Sequence, residues 1–399
     1  MNSKAQNYLD ANIVSYQDCF ADVDMNGFME ELDDLENELK EDADGAQHVS
    51  HLKKIISWGR LSSILGFVTA VIFPNPISAL LISQGKFTRW TTVAHHVLHK
   101  GYDGFAETPK SLRSQYFAKG LRRFWDWLDW IEPAAWEKEH NVLHHYRLGE
   151  RFDPDVVEHN VVHTRHSRMP KIFKLIWTFL AMSQWKWLYY APSTIKQMYS
   201  PKKKDSLDSS FDRLVPFDSV FNPFTPPGRS LWLKSYIPYA LVNFLFIPSM
   251  FLLISQTAAI NVFLTLFLAE IFTNLHTYLV IVPNHSGSDL YRFEGAPKDR
   301  EEFCIRQIVG SVNYRCGSDI NDFLHGWLNY QIEHHLWPDM SMVQYQKAQP
   351  KLRALCEKYQ IPYIQDSVWK RFLKLLPIIL GDESMIPMSG KLKTQTAIP

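Results

Sequence analysis

Eight of the sixteen histidines in this 399-residue sequence fall where their spacing or position suits metal binding. In two clusters, histidines stand four residues apart, and a helix places such residues on one face, where two imidazoles can reach one metal ion. A third cluster is a histidine pair shortly after a glutamine, and a single histidine follows a long apolar segment. The eight candidates are His95 and His99; His140, His144 and His145; His334 and His335; and His285.

The residue types narrow the choice of metal. Imidazole suits zinc, copper, iron and nickel, whereas the four cysteines are too scattered to form a thiolate site or a disulfide framework. A catalytic zinc ion needs about three protein ligands. Eight candidate histidines therefore exceed the needs of one ion and suffice for two ions with open positions. Two redox metals beside a membrane favour O₂ activation against a C–H bond, with zinc as the alternative.

Two long uncharged segments, 61–85 and 235–269, predict the elements that position the histidines. A spanning helix needs about 20 apolar residues, so the second segment is long enough to start two helices. In the first segment Pro74-Asn75-Pro76 favours a turn and hence a hairpin, with a single helix Leu61–Ile82 as the alternative. The predicted helices are Ile55–Phe73, Ile77–Ala94, Tyr236–Ile254 and Ala258–Val282.

Two such hairpins define an all-α integral membrane protein with about four transmembrane helices. Each hairpin returns the chain to its starting side, so all the histidine clusters lie on one side of the membrane. The Trp- and Tyr-rich region 175–195 is predicted as an amphipathic helix in the headgroup layer, because a further span would separate the clusters. We divide the chain into an acidic N-terminal segment (1–54), a membrane core (55–340) and a soluble C-terminal segment (341–399).

Charge is concentrated at the N-terminus, where the first 50 residues hold thirteen acidic and two basic side chains although the whole chain is formally neutral. The modest basic excess elsewhere does not indicate a nucleic-acid binder. Asp22-Val-Asp24-Met-Asn26-Gly27 followed by Asp33 is close to an EF-hand calcium loop. The alternative is an N-capped acidic helix whose apolar stripe consists of Phe28, Leu32, Leu35 and Leu39.

The clusters read HVLH within 95–99, HNVLHH at 140–145 and QIEHH at 331–335. With LNYQIEHHLWP at 328–338 and Pro283-Asn284-His285, they resemble the three histidine boxes of the membrane fatty acid desaturases, in particular the acyl-lipid and front-end branch. The resemblance covers about residues 55–365. Trp327 departs from it, since small residues are common there, and it leaves the chain length and position of desaturation open.

The resemblance implies a four-span fold whose cytosolic helical cap holds two iron ions. All eight histidines named above would be iron ligands, with His285 as the extra one after the last span. The implied reaction uses O₂ to remove two hydrogens from neighbouring carbons of an acyl chain carried by a lipid or a thioester. No HPGG haem motif is present, so we expect a separate electron donor of the ferredoxin or cytochrome b5 type. The expected location is a bacterial inner membrane or the endoplasmic reticulum.

Other polar residues near the clusters have expected supporting or structural roles. Gln331, His325, Asp153 and Asp155 are candidates for a second shell around the metal ligands. We expect His276, inside the last span, to be a satisfied core histidine. The expected location of His159, His163 and His166 is a solvated basic face near lipid headgroups.

Three other functions remain open at this stage. A fatty acyl hydroxylase or an oxidative decarboxylase would use the same di-iron scaffold. A transmembrane haem carrier would need histidines paired at mid-membrane depth, and only His276 lies plainly inside a span. A lipid-binding scaffold without metal would leave eight buried imidazoles to be satisfied in another way.

Overall fold

A computed structural model of the protein describes residues 13–41, 44–200 and 215–391, and within them the fold is mostly helical. The first hairpin consists of α2 (Gly45–Ala70) and α3 (Pro76–Phe87), after α1 (Met25–Lys40). Helix α3 continues as a π-helical segment, Thr88–Ala94, and a final turn, His95–Leu98. The chain turns at the predicted proline pair, so the alternative of one helix across this region is wrong.

Local chemistry explains the turn and the close approach of the two helices. Asn75 caps α3 by accepting a hydrogen bond from the Ser78 amide at 2.8 Å, and Pro76 occupies the first turn, where its missing N–H is not needed. A Cβ on Gly66 would lie 2.9 Å from the Ile82 nitrogen and the Ser78 carbonyl oxygen. Glycine at this position therefore lets the two backbones pack directly against each other.

The second hairpin contains the two helices that, among the described residues, are long and apolar enough to cross a membrane, α10 (Pro226–Leu253) and Gln256–His285. The regular part of the latter is α11 (Gln256–Ile281), and Val282–His285 is a 3₁₀ turn. Ser255 caps α11 by accepting from the Ala258 amide at 3.0 Å, so the turn lies where the polar Ser-Gln-Thr sequence predicted it. Membrane association follows from these helices, whereas the crossing of the first hairpin stays a prediction.

Polar side chains join the two hairpins inside this apolar region. Lys86 of α3 forms an ion pair with Glu270 of α11, and Trp130 Nε1 donates to the same carboxylate at 3.0 Å. Near the other end of α11, the Asn261 amide donates to the Val71 carbonyl oxygen at 3.0 Å. Buried ionic groups are stable in such a setting only when they are paired, so these contacts fix the relative position of the hairpins.

The remaining elements form a cap around the ends of these helices. It includes a three-stranded parallel sheet in the order β1, β3, β2. The helices between the hairpins are α4 (Pro133–Trp136, continuing as π-helical Glu137–His144), α5 (Val157–Asn160), α6 (Val162–His166), α7 (Lys171–Met182), α8 (Ala191–Tyr199, preceded by π-helical Lys186–Tyr190) and α9 (Phe217–Phe221). The later helices are α12 (Arg300–Val309), α13 (Asp319–His325), α14 (Gln331–Leu336), α15 (Met342–Lys358) and α16 (Val368–Leu380), and the strands are β1 (Val14–Ser15), β2 (Tyr291–Glu294) and β3 (Ile386–Ser389).

Helix α7 is amphipathic, as expected for part of region 175–195. Lys174, Thr178 and Met182 are buried on one face, and the Lys174 ammonium donates to the Arg165 carbonyl oxygen at 2.8 Å. The other side of the helix is apolar and exposed, and it carries Ile172, Phe173, Ile176, Trp177, Phe179 and Leu180.

The N-terminal acidic motif is an N-capped helix and not a calcium loop. Helix α1 starts at Met25, and Asp24 caps it by accepting from the Gly27 amide at 3.1 Å. The predicted stripe of Phe28, Leu32, Leu35 and Leu39 is buried. Asp33, which the EF-hand hypothesis needs as the twelfth loop position, lies inside the helix and pairs with Arg300 at 3.0 Å. A helical backbone over residues 25–33 cannot wrap an ion as an EF-hand loop does.

This geometry predicts that calcium does not stabilise the protein. A ligand at a thousandfold excess over its Kd adds about 4 kcal/mol to the free energy of unfolding, which an EF-hand of micromolar affinity would reach at millimolar calcium. We expect the same melting temperature for detergent-purified protein in calcium and in a calcium chelator, with magnesium as the control. A rise specific to calcium would contradict the helical assignment.

Candidate metal centre

Four separate segments bring the predicted histidines to one buried region. His95 lies in the turn that ends the first hairpin, and His285 lies in the 3₁₀ turn that ends the second. His140 and His144 are in the π-helical part of α4, and His334 and His335 are in α14. All eight predicted ligands meet in two adjacent groups.

The first group contains five buried histidines whose candidate ligand atoms lie within 4.8 Å of one another. The distance between the Nε2 atoms is 2.8 Å for His95 and His334, and 3.4 Å for His95 and His140. Five imidazoles that aim their nitrogens at one point form a donor set suited to a transition metal ion. The members are His95, His99, His140, His145 and His334.

The second group consists of His144, His285 and His335, whose candidate ligand atoms also lie within 4.8 Å of one another. The Gln331 amide nitrogen is 2.9 Å from His285 Nε2, so this side chain reaches the group itself. His140 and His144 fall in different groups although they are four residues apart. The reason is the π-helical backbone, in which the His145 amide bonds to the His140 carbonyl oxygen, five residues back, and changes the direction of successive side chains.

Outer hydrogen bonds orient three of the imidazoles. Nδ1 of His144 lies 2.9 Å from Asp153 Oδ1, Nδ1 of His335 lies 3.1 Å from Gln307 Oε1, and Nδ1 of His334 lies 3.2 Å from the Tyr345 hydroxyl oxygen. The Tyr345 hydroxyl donates to the Trp337 carbonyl oxygen at 2.9 Å, so it is free to accept from His334. This network assigns the proton to Nδ1 and leaves Nε2 of each ring as the ligand atom.

The protonation of the site also suits metal binding. Burial, with a smaller contribution from neighbouring imidazoles, lowers the pKa of His95, His99 and His334 well below the usual value. These rings are therefore neutral at neutral pH, which is the form that binds metals. Burial also lowers the pKa of His144, but Asp153 outweighs it and the net shift is upward.

Unsatisfied ring nitrogens show that the residues fit a metal ion. Nε2 of His99 and Nε2 of His335 are buried and have no hydrogen-bond partner in the described part of the chain. A buried polar atom without a partner is costly. One such atom lies in each group, so an ion in each would satisfy both.

The comparison with known proteins agrees with this arrangement. Residues 72–367, about three quarters of the chain, match the fatty acid desaturase family. The chain belongs to this family. The resemblance drawn from the histidine boxes is thereby confirmed, and the protein is an oxidoreductase of fatty acid metabolism.

Individual relatives extend over different parts of this desaturase. It is 23% identical to the NADPH-dependent stearoyl-CoA 9-desaturase of Mycobacterium tuberculosis over 374 residues, which cover 89% of this chain and 80% of that protein. It is 31% identical to the Delta(8)-fatty-acid desaturase of Euglena gracilis over 135 residues, 34% of this chain and 31% of the relative. A stretch of 80 residues, 20% of this chain and 17% of the relative, is 38% identical to the acyl-lipid (9-3)-desaturase of Borago officinalis.

Two of the four proposed supporting residues bond directly to the histidines, a third lies beside them, and His325 does not join them. Asp153 and Gln331 make the contacts described above, and Asp155 lies 3.7 Å from His144 Nδ1. His325 bonds instead through Nδ1 to the Asn321 carbonyl oxygen at 2.7 Å, within α13. Its closeness to Gln331 in sequence misled, because the chain turns at Gly326 and Trp327, which both have positive φ.

The remaining histidines of the desaturase lie outside both groups. His276 donates through Nε2 to the Leu324 carbonyl oxygen at 2.8 Å and stacks on Phe87, as expected for a satisfied core residue. His159, His163 and His166 are exposed, which agrees with the predicted solvated face.

Three residues of the site have no signal in the sequence. Gln307 of α12 and Tyr345 of α15 orient His335 and His334, and Trp136 stacks on His140 with ring centres 4.7 Å apart. None of them belongs to a histidine box or has ligand spacing. Only the tertiary structure brings them to the site.

A cavity of about 520 Å³ leads from the metal groups into the protein, within the size range of ligand pockets. His95, His140, His144 and His285 form part of its wall. Aromatic side chains close another part, where Trp90, Trp185 and Tyr190 are buried and touch one another, with ring centres 5.0 to 6.3 Å apart. The lining is mostly apolar, so the cavity suits a hydrocarbon chain.

We expect His144→Ala and His334→Ala to lower the metal content of the purified desaturase and to abolish product formation, because each change removes a ligand from one group. His276→Ala is the matched control and should keep both the metal and the activity. Metal per chain is measured by elemental analysis, and membrane insertion is checked by fractionation. Unchanged metal content in either ligand variant would contradict the grouping.

Asp153→Asn tests the outer hydrogen bonds. The variant keeps the shape of the side chain but removes the charge that orients His144 and raises its pKa. Loss of such a partner weakens metal affinity by about 10- to 100-fold, which a competition with a chelator would measure. Asp339→Asn, at an exposed carboxylate, should behave like the unaltered protein. Equal affinities for the two variants would show that Asp153 has no orienting role.

Proposed function

We propose that this protein is an O₂-dependent fatty acyl desaturase that works with two iron ions, one in each histidine group. The observation that carries the proposal is the pair of adjacent histidine groups in the wall of an apolar cavity. Eight neutral imidazoles with at least one further polar side chain suit iron, and family membership favours iron over zinc. His95, His99, His140, His145 and His334 would hold one ion, and His144, His285 and His335, with Gln331 close by, the other.

The overall reaction converts two neighbouring methylene groups into a double bond. The two hydrogens removed, two electrons from a donor and two further protons reduce O₂ to two water molecules. Bound iron supplies the oxidising power that an unactivated C–H bond requires. The polypeptide has to bring one particular pair of carbons to the site and hold it there.

The residues of the cavity perform this positioning. Trp136 and the rings of His95 and His140 form a flat wall beside the reacting carbons, and the Trp90, Trp185 and Tyr190 cluster limits how far an extended chain can penetrate. Their burial excludes bulk water from the reacting carbons. Outside the cavity, Asp153, Gln307 and Tyr345 keep the ligand rings in place.

The topology proposed with this function has four spans and the metal groups on the cytosolic side. The described hairpins support it, because His95 and His285 stand at the ends of helices that return to the same cap. Electrons would come from a separate ferredoxin- or cytochrome b5-type protein.

The test is expression in cells with a defined fatty acid content, followed by gas chromatography of the total acyl chains. We expect a new unsaturated acyl peak that requires O₂ and is missing in the His334→Ala variant, together with two irons per purified chain. A hydroxylated or shortened product would instead make the protein a hydroxylase or an oxidative decarboxylase on the same scaffold. Protein without iron and without product would contradict the proposal.

A further inference from the structure

The exposed part of the cavity wall lies in one region of the molecule. Among the lining residues, those next to the metal groups are mostly buried, whereas Asn160, His163, Trp177, Leu180 and Leu188 are exposed. They belong to α5, α6, α7 and the π-helical segment before α8. The cavity therefore opens where α5 and α6 face α7.

Helix α7 forms one side of this opening and belongs to the surface that faces the membrane. Trp177 and Leu180 line the cavity and also lie among the exposed apolar side chains of the helix, 56% and 48% exposed. Nothing in the described chain covers these side chains, and α7 packs against α11, one of the two helices long enough to cross a membrane. An amphipathic helix next to a span lies at the boundary between acyl chains and headgroups.

Charges at the start of α7 fit the same position. Arg168 and Lys171 are exposed just before and at the first turn, where cationic side chains meet lipid phosphates. Exposed His163 and Asn160 lie across the opening, on the α6 and α5 side. The rim thus changes from polar to apolar in the order in which a lipid changes from headgroup to acyl chain.

We propose that the substrate is an acyl chain of a membrane phospholipid, which enters the cavity sideways from the bilayer past α7. This inference rests on the proposed desaturase function and assigns its substrate class. The headgroup would remain beside Arg168 and Lys171 while the chain passes Trp177, Leu180 and Ala181 toward the histidines. An acyl-CoA is the competing substrate, but its nucleotide phosphates call for cations at the opening, and the described lining includes no lysine or arginine.

Photocrosslinking distinguishes the two sources of acyl chain without requiring turnover. The full-length protein, loaded with iron and reconstituted in phosphatidylcholine nanodiscs, receives either a phosphatidylcholine with a diazirine in the middle of one acyl chain or the corresponding diazirine stearoyl-CoA. Labelled peptides are then mapped by mass spectrometry. We expect the phospholipid probe to label residues deep in the cavity, such as Trp185, Tyr278 and Leu328, more efficiently than the CoA probe does.

Variants of α7 test the route. Ala181→Trp narrows the opening and should lower deep labelling by about tenfold, because the indole fills the passage. Leu180→Trp repeats the test at an exposed lining position, where folding is less at risk. Phe179→Trp is the control, since Phe179 is on the same helix but does not line the cavity. Unchanged iron content serves as the check that each variant is folded.

The outcomes separate the two proposals. Deep labelling by the CoA probe, with the phospholipid probe confined to exposed residues such as Ile172 and Phe173, would overturn the bilayer route and leave the desaturase function intact. Deep labelling that is equal in Ala181→Trp, Leu180→Trp and the unaltered protein would also overturn it, because the entrance would then lie elsewhere. If neither probe reached the deep residues, the proposed acyl desaturase function itself would fail.

Discussion

The arrangement of this protein depends on the burial of eight neutral imidazoles in one place. A buried imidazole needs a partner for each of its two nitrogens, and here the two nitrogens of several rings have different partners. Nδ1 of His144, His334 and His335 is held by the surrounding polypeptide, while the Nε2 atoms are directed inward. The interior is therefore incomplete without a metal, which makes the histidine groups at once the reactive centre and a structural core.

This requirement dictates the shape of the chain around the site. Histidines from segments almost 240 residues apart must converge, as His95 and His334 do, although apolar helices separate them in sequence. Hairpins solve the problem because each one returns to the side from which it came. The same helices leave a protected, mostly apolar cavity next to the ligands, so the scaffold that assembles the centre also forms the binding space for an acyl chain.

The sequence predicts those parts of the structure that depend on local chemistry. The turn at Pro74 and Asn75, the cap at Ser255, the buried stripe of α1 and all three histidine boxes could be read directly. It does not predict what depends on long-range packing or on unusual backbone geometry. The separation of His140 from His144 follows from a π-helical segment, Gln307 and Tyr345 reach the site from distant helices, and a left-handed turn at Trp327 carries His325 away from it. The acidic loop at Asp22 to Asp33 misled because a capped helix and a calcium loop share the same residues.

The ion pair between Lys86 and Glu270 has a consequence for biosynthesis. The two residues are 184 positions apart, so Lys86 is synthesised and leaves the ribosome long before its partner exists. During that interval the first hairpin carries an unpaired ammonium in an apolar segment, which opposes its stable insertion on its own. The arrival of α11 neutralises this charge and draws the hairpins together, and His334 and His335 are translated only afterwards. Maturation of the centre is thereby ordered in time, with the helical frame completed before the last ligands emerge.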